Sequence, residues 1–413
     1  MRFRAISCLV LCSIVCRTGF ALGAEPAAAI TGEASIGVRA AVEAAREHAP
    51  EVGRARAALY SSRSARESGR LAPFGNPYLQ VTAQGSDKDV VKDVAVAGEL
   101  WLPVEPFGQR TGRRREAEGF VALHASFVEQ ARAEAAARAV LAYGRATVAK
   151  ERGEVLRELA ANARAQADML NARMASGDAI QRDVSLAAAE AARHEVMLVE
   201  NRATLLGAEG VLAELTGWEA PLLGPNTPPS LGTRRLAQER LQVLPQARAL
   251  TAEARYHDAA AERWQREGKG MLSVGLLAGR GDYGETRVGG GFAYAIPAFR
   301  TNRPERAREE AESIRARDDR SLYEVVAQRR LRTLQHQQAE LDQALSVLSN
   351  SAVPAAREAV GAVEETYDAG KTELLLVLLT RRELSTLLLR RLELFEASWQ
   401  LVSEYVEITG DLP

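Results

Sequence analysis

One internal shift lays the second half of this chain on the first: it carries Gly177 onto Gly370, Gly217 onto Gly410, Val184 onto Val377 and Arg110 onto Arg303. Pro50 falls within two residues of Pro245 under the same shift. The chain therefore reads as a tandem duplication, and one structural unit has to account for both halves. The boundaries that follow are a first repeat over 25–217, a Pro/Gly-rich linker over 218–234 and a second repeat over 235–413.

Most of that unit is helix. From Gln109 to about Ala175 there is no proline, alanine is abundant, and Arg and Glu are interspersed, which predicts a helix of about 65 residues. At 1.5 Å per residue it is roughly 100 Å long, far beyond a compact domain. After a turn at Ser176, Gly177 and Asp178, a return helix carries Ile180, Val184, Ala187, Ala191, His194, Leu198, Asn201, Leu205, Ala208, Leu212 and Leu215 at 4-3 spacing. That spacing is a coiled-coil seam. The second half repeats the pattern from Pro304 to Asp368, with Ala369, Gly370 and Lys371 at the turn and Leu388, Leu392, Phe395, Trp399, Val402 and Val406 on the return. A shorter helix over Val38–Leu71, turned or kinked at Pro50, completes the first wall by stacking end to end with the return helix; Pro354 removes one hydrogen bond from the second long helix.

Four short segments switch to a period of two. Leu79, Val81 and Ala83 alternate with Gln80, Thr82 and Gln84, and Val94, Val96, Leu100 and Leu102 alternate with Ala95, Ala97 and Glu99. In the second half Leu272, Val274, Leu276 and Ala278 alternate with Ser273, Gly275 and Gly279, and Val288, Phe292, Tyr294 and Ile296 alternate with Arg287, Gly289, Gly291 and Ala293. Each is about 9–11 residues, the length of a tilted membrane strand, and polar loops at Ser86–Asp93 and Gly281–Glu285 close each hairpin on the same side. Four strands cannot close a barrel, since about eight is the minimum and lipid does not tolerate open edges. The barrel is therefore expected to be shared, with three chains giving twelve strands and near six-fold symmetry.

The N-terminus predicts a signal peptide over 1–24: Arg2 and Arg4, an apolar core from Ala5 to Cys16, and small residues at Ala21, Gly23 and Ala24. All three cysteines, Cys8, Cys12 and Cys16, lie within it, so the remaining chain has no thiol. Lipidation at Cys16 is a second way to process the leader, against which stands the bulk of Val15. Removing Arg2, Arg4 and Arg17 from 53 basic residues leaves 50 against 54 acidic ones, which gives no electrostatic case for nucleic acid. The run Arg113-Arg114-Arg115 reads as the solvated or headgroup-facing start of a helix.

The order and spacing of these pieces resemble the TolC-like outer-membrane efflux factor family over nearly the whole chain. The residues that carry the resemblance are Gly98 to Leu100 through Pro106 to Arg110, Ala295 to Arg303, and the turns at Arg173 to Gly177 with Asp183 and Val184 and at Tyr367 to Gly370 with Val377. The resemblance implies a fold that is mainly α with a small β part. It implies a homotrimer with a twelve-stranded barrel in the outer membrane and an α-barrel in the periplasm, acting as a passive exit duct. Its partners would be outer-membrane lipid, a periplasmic adaptor (membrane fusion) protein docking at Ser176, Gly177, Asp178, Ala369, Gly370 and Lys371, and an inner-membrane pump of the RND type. The Ile296 to Asn302 segment is similar to the CzcC-like metal-exporting branch, against which drug efflux and type I protein secretion are the rival cargoes.

Related proteins often carry aspartates after the second tip, where this chain has Leu374 to Leu379. The expected gate is therefore an apolar constriction at Leu376 and Leu379 supplemented by Asp183, with packing against neighbouring helices as the alternative for the leucines.

No catalytic constellation, cofactor motif or metal site is read from the chain. Gly279 to Gly284 matches GxGxxG by letter, but a strand follows where a phosphate site needs a helix, so a hairpin turn is expected there; the same holds for the embedded Arg280-Gly281-Asp282. The histidines His48, His124, His194, His257 and His336 are scattered over helices without a carboxylate at ligand spacing, with His194 on the seam. The non-transport alternative is a secreted structural coiled coil with soluble hairpins.

Overall fold

The computed structural model describes residues 37–85, 94–177, 179–218, 223–224, 226–232, 241–280, 285–297 and 301–413. Residues 1–36, where the expected signal peptide and the three cysteines fall, the 86–93 loop, Asp178, residues 281–284 and 298–300, and much of the expected linker lie outside the described residues.

The expected helix over Val38–Leu71 is three pieces: α1 (Val38–His48), α2 (Pro50–Ser62) and α3 (Ala65–Arg70). The first break has the expected cause, because the residue before a proline is pushed out of the α region, and Ala49 sits at φ −56°, ψ 138°. The second break comes from serines. Ser61, Ser62 and Ser64 each turn their hydroxyl onto the carbonyl three residues back, at 3.0, 2.7 and 2.7 Å, and compete with the helix ladder.

The first long helix, α4, runs from Gln109 to Ala175 and returns as α5 (Gln181–Thr216). The second half enters through α6 (Pro245–Glu267), continues as α7 (Arg303–Val347) and α8 (Val353–Asp368), and returns as α9 (Leu374–Thr409). Between α7 and α8 lies a five-residue π-helical turn, Leu348–Ala352, in which the Val353 amide donates to the Leu348 carbonyl. Pro354, which has no amide to give, follows at once, and a wider turn is how a helix passes such a gap. The expected single helix to Asp368 is thus interrupted by one π-turn.

The strands β1 (Tyr78–Gly85), β2 (Val94–Val104), β3 (Leu272–Arg280) and β4 (Thr286–Tyr294) form one antiparallel sheet in that order. The β2–β3 pairing joins the two repeats, and β1 and β4 are the free edges. Arg280 pairs with Thr286 across the top of the second hairpin, so a strand, not a helix, follows the glycine-rich segment.

The main core lies midway along the helices, where Tyr143, Leu212, Leu334, Leu392, Trp399, Val402 and Val406 are buried together. Leu223 and Leu231 of the expected linker are buried in the same cluster, so the described part of the linker is packed as a strap across the helices. Asn226 secures it: its Oδ1 accepts from Trp399 Nε1 at 2.8 Å and its Nδ2 donates to Glu151 at 2.9 Å.

Candidate functional site

Residues that face one another across a sheet share a face, so the register sorts the strands into two surfaces. Leu79, Leu100, Leu276 and Gly290 form one row, with Val81, Gly98, Ala278 and Val288 on one side of it and Leu102, Val274 and Phe292 on the other. Val81, Val274, Leu276, Val288 and Phe292 are all exposed in the protomer, Phe292 at 82%. The opposite face carries Gln80 and Glu99 in one row and Tyr78, Trp101, Gly275 and Gly291 in the next. Trp101 lies over Gly275, where an added Cβ would meet the indole at 2.6 Å, and its Nε1 donates to Glu99 at 2.9 Å. One face is apolar, with Gly98 and Gly290 among its residues, and the other carries Gln80 and Glu99, with Leu277 and Gly289 completing their row.

Below the sheet, ion pairs fix the strand-to-helix junction. Arg113 meets both oxygens of Glu105 at 2.8 Å, and Arg115 meets Glu262, which also accepts from Arg266 at 2.6 Å. The Glu262 carboxyl is held below its usual range, chiefly by the Arg115 hydrogen bond. Glu116, facing Arg263 at 3.2 Å, is pushed up by burial, which outweighs the attraction of that guanidinium. Gln109 is buried at the same level and caps the junction, accepting from the Phe107 amide at 3.1 Å and donating to the Gly270 carbonyl at 2.8 Å.

At the far end both hairpins turn alike. Gly177 and Gly370 have φ of 86° and 69°, the left-handed region that glycine enters without penalty. The Gly370 and Lys371 amides donate to the carbonyls of Tyr367 and Thr366, both at 2.9 Å, which is the full helix-ending motif; Gly177 makes the first of these bonds, to Met174 at 3.0 Å. Ser176 and Ala369 are the capping residues, and Asp178 lies outside the described residues.

The expected gate residues fall just beyond these turns. The run from Leu374 splits: Leu374 and Val377 are buried, with Leu378 packed beside them against Leu170 and Val184, whereas Leu375, Leu376 and Leu379 are exposed at 48, 47 and 53%. Asp183 sits in the first turn of α5, where a carboxylate suits the helix dipole, with Arg182 at 3.1 Å. The seam on α5 is as expected from Val184 to Leu215, but Ile180 is its extended N-cap and is exposed. One residue the sequence reading passed over is Arg381. It donates from α9 to Glu364 on α8 at 2.6 Å and to Gln166 on α4 at 2.5 Å, tying the second hairpin to the first.

Two histidines do have carboxylate neighbours: His257 Nδ1 lies 2.7 Å from Glu309, and His194 Nε2 lies 3.3 Å from Glu190. Sequence separation hid the first pair, since its members lie on different helices. Among the described residues no three His, Cys, Asp or Glu side chains are grouped to hold a metal ion, and no helix is long and apolar enough to cross a membrane.

No family model and no curated protein matches the chain. Solved structures do. The outer membrane protein VceC from Vibrio cholerae superposes with a TM-score of 0.71 at 17% identity, over 91% of this chain and 97% of its own. The open-state MtrE outer membrane channel of Neisseria gonorrhoeae gives 0.69 at 15% over 90% and 88%, and CusC, described in connection with transmembrane channel formation, gives 0.70 at 14% over 90% and 91%. This chain has the fold of these channel proteins, mainly helical with a small sheet.

Proposed function

We propose that the chain is the outer-membrane channel of a tripartite efflux system, a passive duct rather than an enzyme. The observation that carries this reading is the sheet: one apolar face, one polar face, and two unpaired edges at β1 and β4. Unpaired edges are not tolerated in lipid, and β1 of one copy is free to pair with β4 of the next. Three copies then close a twelve-stranded barrel, apolar outside and polar within, and the long helices continue it as a periplasmic tube. The resemblance in sequence and the fold shared with VceC, MtrE and CusC support the same reading.

Within it, the paired tips take a periplasmic adaptor, an RND-type pump supplies the substrate, and the cargo is heavy-metal cations, on the strength of the Ile296 to Asn302 segment. Drug or protein export is separated from metal export by measuring which substrate's tolerance or secretion is lost when the chain is deleted.

The direct test is purification from outer membranes in mild detergent, followed by mass measurement and conductance in planar bilayers. Heat-modifiable conducting trimers are expected; a soluble periplasmic protein or a native monomer removes the reading. Val274→Arg, on the apolar face, should cost about 2–4 kcal/mol if it lies near the bilayer midplane and reduce trimer yield, while Ser273→Asn on the other face is tolerated.

A further inference from the structure

The basic run at the start of α4 divides three ways. Arg113 is held by Glu105 and Arg115 by Glu262, but Arg114 turns to another side, with Glu118 at 2.8 Å. There it shares a pocket of about 250 Å³ with Arg110, Arg66 and Arg70, above Gly69 and Ala117. Four arginines line this pocket with one acidic residue, Glu118. Arg70 is paired to Glu67 at 2.7 Å, whereas Arg66 and Arg110 form no side-chain ion pair among the described residues.

The pocket is set by backbone. Gly69 is buried against α4 so closely that a Cβ there would sit 2.8 Å from Arg114 Cα. This crossing lays the face of α3 that bears Arg66 and Arg70 beside the face of α4 that bears Arg110 and Arg114, each pair one helical turn apart. On the sheet side the pocket is bordered in sequence by exposed apolar and aromatic residues: Leu71, Phe74 and Phe107. Such side chains favour the boundary between hydrocarbon and headgroups. Arg110 and Arg114 follow within about 8 Å of the start of α4, the depth of a headgroup layer.

We propose that this pocket binds the phosphate of an anionic glycerophospholipid in the leaflet that faces the helices. Guanidiniums take phosphate through paired hydrogen bonds, and the two arginines without an ion pair among the described residues bring charge to meet it. The glycine-tight crossing holds the two arginine-bearing faces side by side at the surface. The inference rests on the membrane-channel reading above.

The probe is phosphatidylglycerol. Trimers in nanodiscs of mixed phosphatidylglycerol and phosphatidylcholine are released into detergent, and retained lipid is counted by native mass spectrometry. Wild-type trimers should keep phosphatidylglycerol selectively, up to about three per trimer at one pocket per chain. Arg66→Gln/Arg110→Gln should bind it about twenty-fold more weakly, and Arg66→Lys/Arg110→Lys, which keeps the charge but not the fork, should lie between. Melting of each variant trimer checks that assembly is intact. Equal phosphatidylglycerol retention by wild type and the glutamine variant overturns the proposal, as does full displacement by millimolar inorganic phosphate, which would make this a site for the free anion. Conducting trimers without lipid selectivity sink the lipid site alone; a chain that never enters the membrane sinks the channel reading with it.

Discussion

The helical wall is built differently at its middle and at its tips. In the middle, six segments converge on one core, and Trp399 reaches so far into α4 that a Cβ on Gly144 would lie 2.3 Å from its ring. At the tips, among the described residues, the buried cluster is Ala167, Leu170, Val184, Ala187 and Leu374, and α8 buries Val353 alone. The π-turn at Leu348–Ala352 lies between these regions on the second hairpin. The middle of the wall is locked by interdigitated side chains, and the tip is held by a small buried cluster and the Arg381 bridge. A tube that must open at its end while staying assembled would divide its packing in this way.

The strongest way to break that contrast is to empty the middle. Trp399 is 1% exposed, so Trp399→Ala should destabilise the chain by about 3–5 kcal/mol, measured as the loss of thermal or urea stability. Leu376→Ala, at an exposed position near the tip, should change the same measurement little. If both behave alike, the middle is not the anchor.

Next in size are the tips. A valine at Gly177 or Gly370 would have to hold a positive φ in a space with no neighbouring atom within 4 Å, so the damage is to the turn and not to the core. Strain of about 1–3 kcal/mol should distort the turn, leaving trimers in the membrane but export abolished. Normal export by both variants removes the tips from adaptor docking.

Why these parts were legible and others were not follows from the range of the forces involved. The bounds of α4 and all four strands are close to the sequence expectation because proline, glycine and period act locally. The serine break at Ser61–Ser64 was also local, but its signal is hydroxyl back-bonding inside a helical pattern, which periodicity does not register. The strap at Leu223–Leu231 and the Arg381 bridge depend on residues far apart in the chain, and neither Asn226 beside Trp399 nor Gln166 beside Arg381 is marked by any spacing. For the gate, the leucine run showed that more than one face had to be covered. Only the packing showed which: Leu374 and Val377 inward, Leu376 and Leu379 outward.

The repeat places Leu376 where the first hairpin has Asp183, so the two tips offer opposite chemistry at equivalent positions. We propose Leu376, Leu379 and Asp183 as the periplasmic gate, with the leucines excluding water when the end is narrow. Leu376→Asp should raise conductance several-fold and introduce block by divalent cations, because three carboxylates in a ring would collect them. Unchanged conductance in assembled trimers would assign Leu376 to packing between copies.

The smallest expected effect separates tip from middle by pH. His194 is buried on the α5 seam, about 20 Å from the tip by helical rise, and its pKa is lowered from 6.5, first by burial, with Arg193 acting the same way and Glu190 opposing. A histidine whose folded pKa lies below its unfolded value takes up its proton more readily when unfolded. Stability is therefore intact above about pH 6.5 and falls as acid protonates the unfolded chain, until the folded histidine is charged as well. Melting between about pH 7.5 and about pH 5.5 should show a modest loss that is flattened in His194→Gln. Because the nearby packing is sparse, the loss should appear first as local opening, read by amide exchange in α5 from Val184 to His194, before exchange rises around Trp399. Simultaneous exchange in both regions would mean that the wall opens as one unit and that the contrast between middle and tip has no energetic content.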